Sequence, residues 1–261
     1  MMPRNPLVIG NSHTAAVRIA LRDGPGRWPG FDPDIFAMPG GTLFRLELRD
    51  RAFVPTDAET KKQMVFYNGV PELPLSGYDG FVVLGGISFK QIAELQATHR
   101  SGDFPSVRAG KACRLVSTGF VDAMMQRRIA DSSALRVMRA LHGLGQGPVV
   151  FMDTVFPSAE AHVGAKGFRT YVEMVARGDG AAFHARYIDL LDREIGDAAI
   201  RLPQPAETVV DGLFTAPEWM RGSIRLNPHD DVPHDADDYG HANASYGALQ
   251  VDAVIRAFAA L

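Results

Sequence analysis

Residues 7–21 read Leu7-Val8-Ile9-Gly10-Asn11-Ser12-His13-Thr14-Ala15-Ala16-Val17-Arg18-Ile19-Ala20-Leu21. A short apolar run, a small polar turn and then a helical pattern from residue 13 describe a buried strand that feeds a helix. The unit recurs along the chain. The run 81–84 ends on Gly85-Gly86 and precedes a helical pattern over 88–99, and the run 149–152 ends on Asp153-Thr154. A weaker run, 35–38, ends on Pro39-Gly40-Gly41. Further helical patterns cover 118–142 (split near Asp131-Ser132-Ser133), 180–195 and 244–261. Strands that alternate with helices predict a doubly wound α/β fold with a parallel sheet.

One region breaks the rhythm. Leu43-Phe44-Arg45-Leu46-Glu47-Leu48 alternates apolar with polar, and Met64-Val65-Phe66-Tyr67 follows. Alternation favours half-exposed antiparallel strands, so residues 42–68 are expected to form a small β insertion. With no internal repeat and no linker, residues 1–261 are expected to form one domain carrying that insertion. The chain has 27 Lys and Arg against 30 Asp and Glu, a formal net charge of −3, and 46% hydrophobic residues. That balance contains no basic block and gives no electrostatic reason to expect nucleic acid as a partner. The single cysteine, Cys113, excludes an intrachain disulfide and a Cys-rich zinc site. No apolar run is long enough for a secretory signal or a membrane span, which makes a reducing cytoplasm the expected compartment. The 26 Gly and 17 Pro exceed the average share and suggest long connections.

In an open parallel sheet, ligands bind at the carboxyl ends of the strands, where strand order reverses. Ser12 stands there, after the first strand. A hydroxyl in that place can simply cap the following helix. Near the other end of the chain, residues 227–243 carry three His and five Asp. They can be read as a polar surface loop. They can also be read as a metal site, but the segment lacks the helical spacing of known motifs and no metal ligand is assigned. A third reading takes Asp238-Tyr239-Gly240-His241, in which a carboxylate three residues before an imidazole can fold back and fix the tautomer of a general base. The loop Gly143-Leu144-Gly145-Gln146-Gly147 precedes a strand, whereas a phosphate-binding loop follows one. Phe214 and Trp219 suit either a lid or the core.

Gly10-Asn11-Ser12-His13 after the first strand, paired with Asp238-x-x-His241 before the last helix, resembles the SGNH (GDSL-like) hydrolase superfamily. Asn243 and Tyr246-Gly247 are similar to that family's ending. The resemblance implies a three-layer α/β/α, flavodoxin-like fold and a serine esterase that needs no cofactor. Its nucleophile would be Ser12, its base His241 and its orienting acid Asp238. It also implies oxyanion donors from the backbone of Ser12 and of Gly41, with Gly40 as the rival position. The family's third block is Gly-x-Asn-Asp, and here it reads Gly85-Gly86-Ile87-Ser88, so Ile87 replaces a side-chain donor. Loss of one oxyanion donor typically costs about 10²–10³ in rate. Asn11, Ser88 and Asn68 are the candidate substitutes, and Gly86 and Asp153 are further expected substrate contacts. The expected partner is a small-molecule or glycan ester, with a small acyl group such as acetyl, and neither nucleic acid nor membrane. Association into a homo-oligomer is left open. An acyltransferase using the same serine and a binding protein that has lost the chemistry are the alternatives.

Overall fold

The computed structural model describes residues 2–261. Its central sheet is built from β1 (Pro6–Gly10) and, after helix α1 (Thr14–Asp23), β2 (Asp34–Ala37). The insertion contributes β3 (Leu46–Arg49), β4 (Ala52–Pro55), helix α2 (Ala58–Asn68) and β5 (Leu73–Pro74), and the chain then returns to the sheet as β6 (Gly80–Leu84). Next come α3 (Phe89–Ala93), β7 (His99–Ser101), α4 (Pro105–Arg108), β8 (Arg114–Val116), α5 (Thr118–Ala130) and α6 (Ser133–Gly143). The last third holds β9 (Val149–Met152), α7 (Arg169–Ala176), α8 (Gly180–Ile195), β10 (Ile200–Leu202) and α9 (Ala244–Ala259). The five-stranded sheet has the order β10-β9-β6-β1-β2, with every pairing parallel. Strand order reverses between β1 and β6, so the crevice expected of such sheets opens above these two strands. This is the doubly wound α/β architecture.

The sheet's side chains divide by the period of two that a pleat imposes. Leu7, Ile9, Phe81, Val83, Val149 and Phe151 point to one face, where α5, α6 and α8 supply the facing apolar residues. Val8, Val82, Leu84, Val150 and Met152 point to the other, against Val17 of α1 and Val251, Val254 and Phe258 of α9. Val251, Val254 and Phe258 recur at three- and four-residue spacing, which gives α9 one apolar stripe. Gly247 lets α9 come very close to α1: a Cβ there would stand 2.1 Å from the carbonyl oxygen of Ala16.

The observed strands lie within a residue or two of the expected ones, and α8 spans the expected 180–195. The insertion differs. Its β3 and β4 pair antiparallel as alternation predicts, although Thr42–Arg45 is a 3-10 turn. Residues 64–67, expected as a strand, belong to α2 instead. Asp57 accepts a hydrogen bond from the Thr60 N–H and caps that helix, while Gly69 at φ 72° terminates it. Of the four apolar residues only Met64 is buried; Val65 and Phe66 are about half exposed, so this run was no strand-facing core. The expected helix over 88–99 stops at Ala93, passes through a 3-10 turn and becomes β7. Among the described residues no helix is long and apolar enough to cross a membrane.

The α1–α9 contact yields a paired test. Gly247→Ala is expected to lower the unfolding free energy by about 1–3 kcal/mol through overpacking against backbone. Gly119→Ala, in α5 and with open space around the added methyl, is expected to be neutral or stabilising by up to about 1 kcal/mol. Urea midpoints of the two variants should therefore move apart.

Candidate active site

Ser12 follows β1 by two residues and lies half-buried at the floor of a cleft of about 550 Å³. Its hydroxyl does not cap α1, which begins at Thr14 with His13 in the N-cap position and has no side-chain cap bond. Ser12 Oγ lies 3.0 Å from His241 Nε2 across 229 positions of sequence. Asp238 reaches the other side of that ring, with His241 Nδ1 at 2.9 Å from Oδ2 and 3.1 Å from Oδ1. An N–H donated from Nδ1 leaves the Nε2 lone pair to accept the serine proton.

Local geometry explains why the D-x-x-H spacing works. Asp238 Oδ1 also accepts the backbone N–H groups of Gly240 (2.8 Å) and His241 (3.1 Å). The turn therefore closes on its own carboxylate and presents the imidazole to it. The loop is fixed from behind by Asn243, whose Nδ2 donates to the carbonyls of Glu218 and Arg221 and whose Oδ1 caps α9. Trp219 packs below, beside Val155, Met220, Ala242 and Tyr246. Trp219 and the buried Phe214 belong to the core rather than to a lid.

Two histidines that sequence reasoning did not single out complete the site. His234 Nδ1 donates to Asp238 Oδ2 at 2.7 Å, and its ring stacks on His241 with centroids 4.1 Å apart and planes at 11°. His13 also stacks on His241, at 5.0 Å and 26°. Burial, together with the nearby His241, pushes His13 down to about 3, so it is neutral in ordinary buffers. Partial burial would raise the Asp238 carboxyl, but the hydrogen bonds from His234 and His241, the charge of His241 and the Gly240 N–H hold it far below the usual carboxylate range. His234, Asp238 and His241 also bring metal-type ligand atoms within 4.8 Å of one another. Both Nδ1 atoms already face the carboxylate, so a cation between them would have to displace these hydrogen bonds.

The backbone N–H groups of Ser12 and Gly41 have no acceptor among the described residues. Gly40, Gly41, Gly86, Ser88 and Asn11 all line the cleft, as expected. Gly86, at φ 81°, leaves no space for a side chain: a Cβ would meet Ser133 Oγ at 2.8 Å and the Ala134 nitrogen at 2.9 Å. Asn11 packs on Gly85 and accepts the His13 N–H through Oδ1 at 3.2 Å. Ser88 stands at the start of α3 without capping it. Asn68 is committed elsewhere, since its carboxamide pairs with both backbone groups of Ala37. Ile87 is buried in the core, and Thr154 Oγ1 holds its carbonyl oxygen.

Asp153 corrects the expectation. It does not line the cleft; its Oδ2 accepts from Arg201 Nη1 at 2.7 Å. Burial pushes this carboxyl up to about 6 against the pull of that guanidinium. Arg201 comes from the edge strand β10, in register with Phe151, and so captures a side chain that leaves the sheet on its side. The short β10, which carries no apolar run, gave the sequence no warning of it.

No family model and no curated protein matches the chain. Among solved structures, a carbohydrate acetylesterase family member from Sinorhizobium meliloti is 12% identical over 99% of this chain and 100% of that one, with a TM-score of 0.39. Phospholipase A1 from Streptomyces albidoflavus NA297 is 11% identical over 96% and 99%, with a TM-score of 0.35. Likenesses this remote carry no argument about chemistry, which rests on the side-chain geometry.

That geometry makes His234 a positioning residue for Asp238. His234→Ala is expected to slow labelling of Ser12 by a fluorophosphonate about tenfold, the worth of one hydrogen bond to a charged group. His234→Asn, which retains a donor in the same place, should recover most of that rate.

Proposed function

We propose that this chain is an SGNH-type serine hydrolase that cleaves esters, with Ser12 as nucleophile, His241 as general base and Asp238 as the orienting acid. The observation that supports this reading is the continuous hydrogen-bonded line from Ser12 Oγ through both nitrogens of His241 to Asp238, at the reversal point of a parallel sheet. In the proposed reaction Ser12 Oγ attacks the ester carbonyl while His241 Nε2 takes its proton. The charge that develops on the carbonyl oxygen is met by the N–H groups of Ser12 and Gly41. Collapse of the intermediate expels the alcohol, which regains the proton from His241. Water then repeats the sequence on the acyl-serine and releases the acid.

Ile87 cannot donate to the oxyanion. Asn11 and Ser88, which line the cleft with it, are the side chains proposed to serve instead. The lining of the cleft also carries the charged side chains of Lys166, Asp237 and Lys90, whose ammonium lies 4.4 Å from the centroid of the Phe168 ring beside Gly240. A polar alcohol such as a sugar fits these groups. A binding protein without turnover is the second reading, and the observation favouring it is Ile87 itself.

Ser12→Ala is expected to lower p-nitrophenyl acetate hydrolysis by at least about 10³-fold and to abolish fluorophosphonate labelling, with an unchanged thermal midpoint. Equal hydrolysis by the variant would sink the assignment. A wild-type protein that never labels, yet binds a glycan, would favour the second reading.

A further inference from the structure

A second compartment of about 350 Å³ adjoins the candidate active site. It shares Phe44, Gly86, Ile87, Ser88 and Gln91 with the first, so the two adjoin at the Gly86–Ser88 turn. Beyond that turn its walls are Ile92 and Met124. Phe44 and Met124 are large apolar side chains left 41% and 39% exposed. Phe44 is held in place, because Arg136 of α6 donates to the carbonyls of Phe44 and Leu46. Its ring also lies over Gly41, at 3.6 Å from where a Cβ would stand. The compartment ends among charged groups, Arg127, Arg128 and Asp131.

We propose that this compartment binds the acyl chain of the ester, and that the chain is a medium-length alkyl or aromatic group rather than acetyl. The inference rests on the Ser12 reading and specifies its substrate. Direction follows from the chemistry. His241 must return a proton to the departing alcohol, so the alcohol lies on the His241 side of the scissile carbon and the acyl substituent points away. The lining of the compartment includes none of His241, Asp238 or Gly240, and it adjoins the cleft at the turn that carries Ile87. Apolar walls favour an apolar chain, and the charged end limits its length, because a longer tail would have to strip water from two guanidiniums and a carboxylate.

The test is a series of p-nitrophenyl esters from acetate to palmitate, hydrolysed by the full chain. Each added methylene is expected to raise kcat/KM about two- to fourfold, giving at least a tenfold preference for hexanoate over acetate and a decline for the longest chains. Met124→Asp, a change on the exposed side of α5, should cut the hexanoate-to-acetate ratio at least fivefold within the same preparation. A flat or falling series with Ser12-dependent acetate hydrolysis overturns the acyl compartment and leaves the Ser12 chemistry standing. A gain seen only when the alcohol of an acetate ester is lengthened overturns the assignment of acyl to this side. If a second copy of the chain covers the compartment, sedimentation will show a dimer that Met124→Asp dissociates with the ratio unmoved, which also overturns it. No hydrolysis of any ester and no fluorophosphonate labelling removes the Ser12 reading and this inference together.

Discussion

The close crossing of α1 and α9 is the constraint on which the candidate site depends. Ser12 lies two residues before α1, and His241 lies three residues before α9. Nothing local brings them together. They meet because Gly247 rests on the Ala16 carbonyl and the small side chains Ala15, Ala16 and Ala248 are buried nearby. A hydrogen bond of 3.0 Å has little slack: separation by about 1 Å would break it, and errors of that size can cost about 10²-fold in a positioned reaction. The residue that sets the reach of His241 is therefore a glycine with no chemistry of its own.

Asp238 is the electrostatic hub. Its carboxylate receives two backbone N–H groups and two imidazoles, and a half-buried charge is tolerable only with such partners. Two imidazole rings stack on His241, which restrains its rotation about the line from Ser12 to Asp238. The neutrality of His13 matters here. In the proposed reaction a second positive ring against the imidazolium would oppose the proton transfer from Ser12, and the burial that keeps His13 uncharged removes that cost.

Much of this was legible in the sequence wherever the determining interactions are short in range. The strand, turn and helix at 6–23 are written as an apolar run, three polar residues and an Ala-rich pattern, and Asp238-x-x-His241 closes upon itself. His234 was not legible as a partner, although it precedes Asp238 by only four residues. Those residues follow an irregular loop, not a helix, and no periodicity assigns directions to its side chains. Asp153 was misread for a related reason. Its position after β9 does lie at the productive edge of the sheet, but the partner that claims it, Arg201, sits 48 residues later on a three-residue strand whose sequence carries no apolar signature. Residues 64–67 fall in the stretch expected to form half-exposed antiparallel strands, while the caps Asp57 and Gly69 on either side specify a helix.

Ile87 shows what a motif comparison alone leaves out. Measured against the family pattern it is a deletion, one oxyanion donor fewer and about 2.7–4 kcal/mol of transition-state stabilisation to be found elsewhere. In the fold it is also a wall, buried in the core and lining both compartments. An asparagine there would present a carboxamide to the second compartment and make its wall polar. In the proposed reaction a few methylenes bound beyond Ile87 contribute about 0.8 kcal/mol each, comparable in total to the missing donor. Such binding raises kcat only if it is expressed more fully in the transition state than in the ground state. A chain held beyond the turn can meet that condition by fixing the carbonyl against the Ser12 and Gly41 N–H groups, so that orientation replaces part of what the third donor supplied. On this reading the substitution at Ile87 and the apolar compartment are one adaptation, in which chemistry that an asparagine would support for any ester is confined to esters that fill the site.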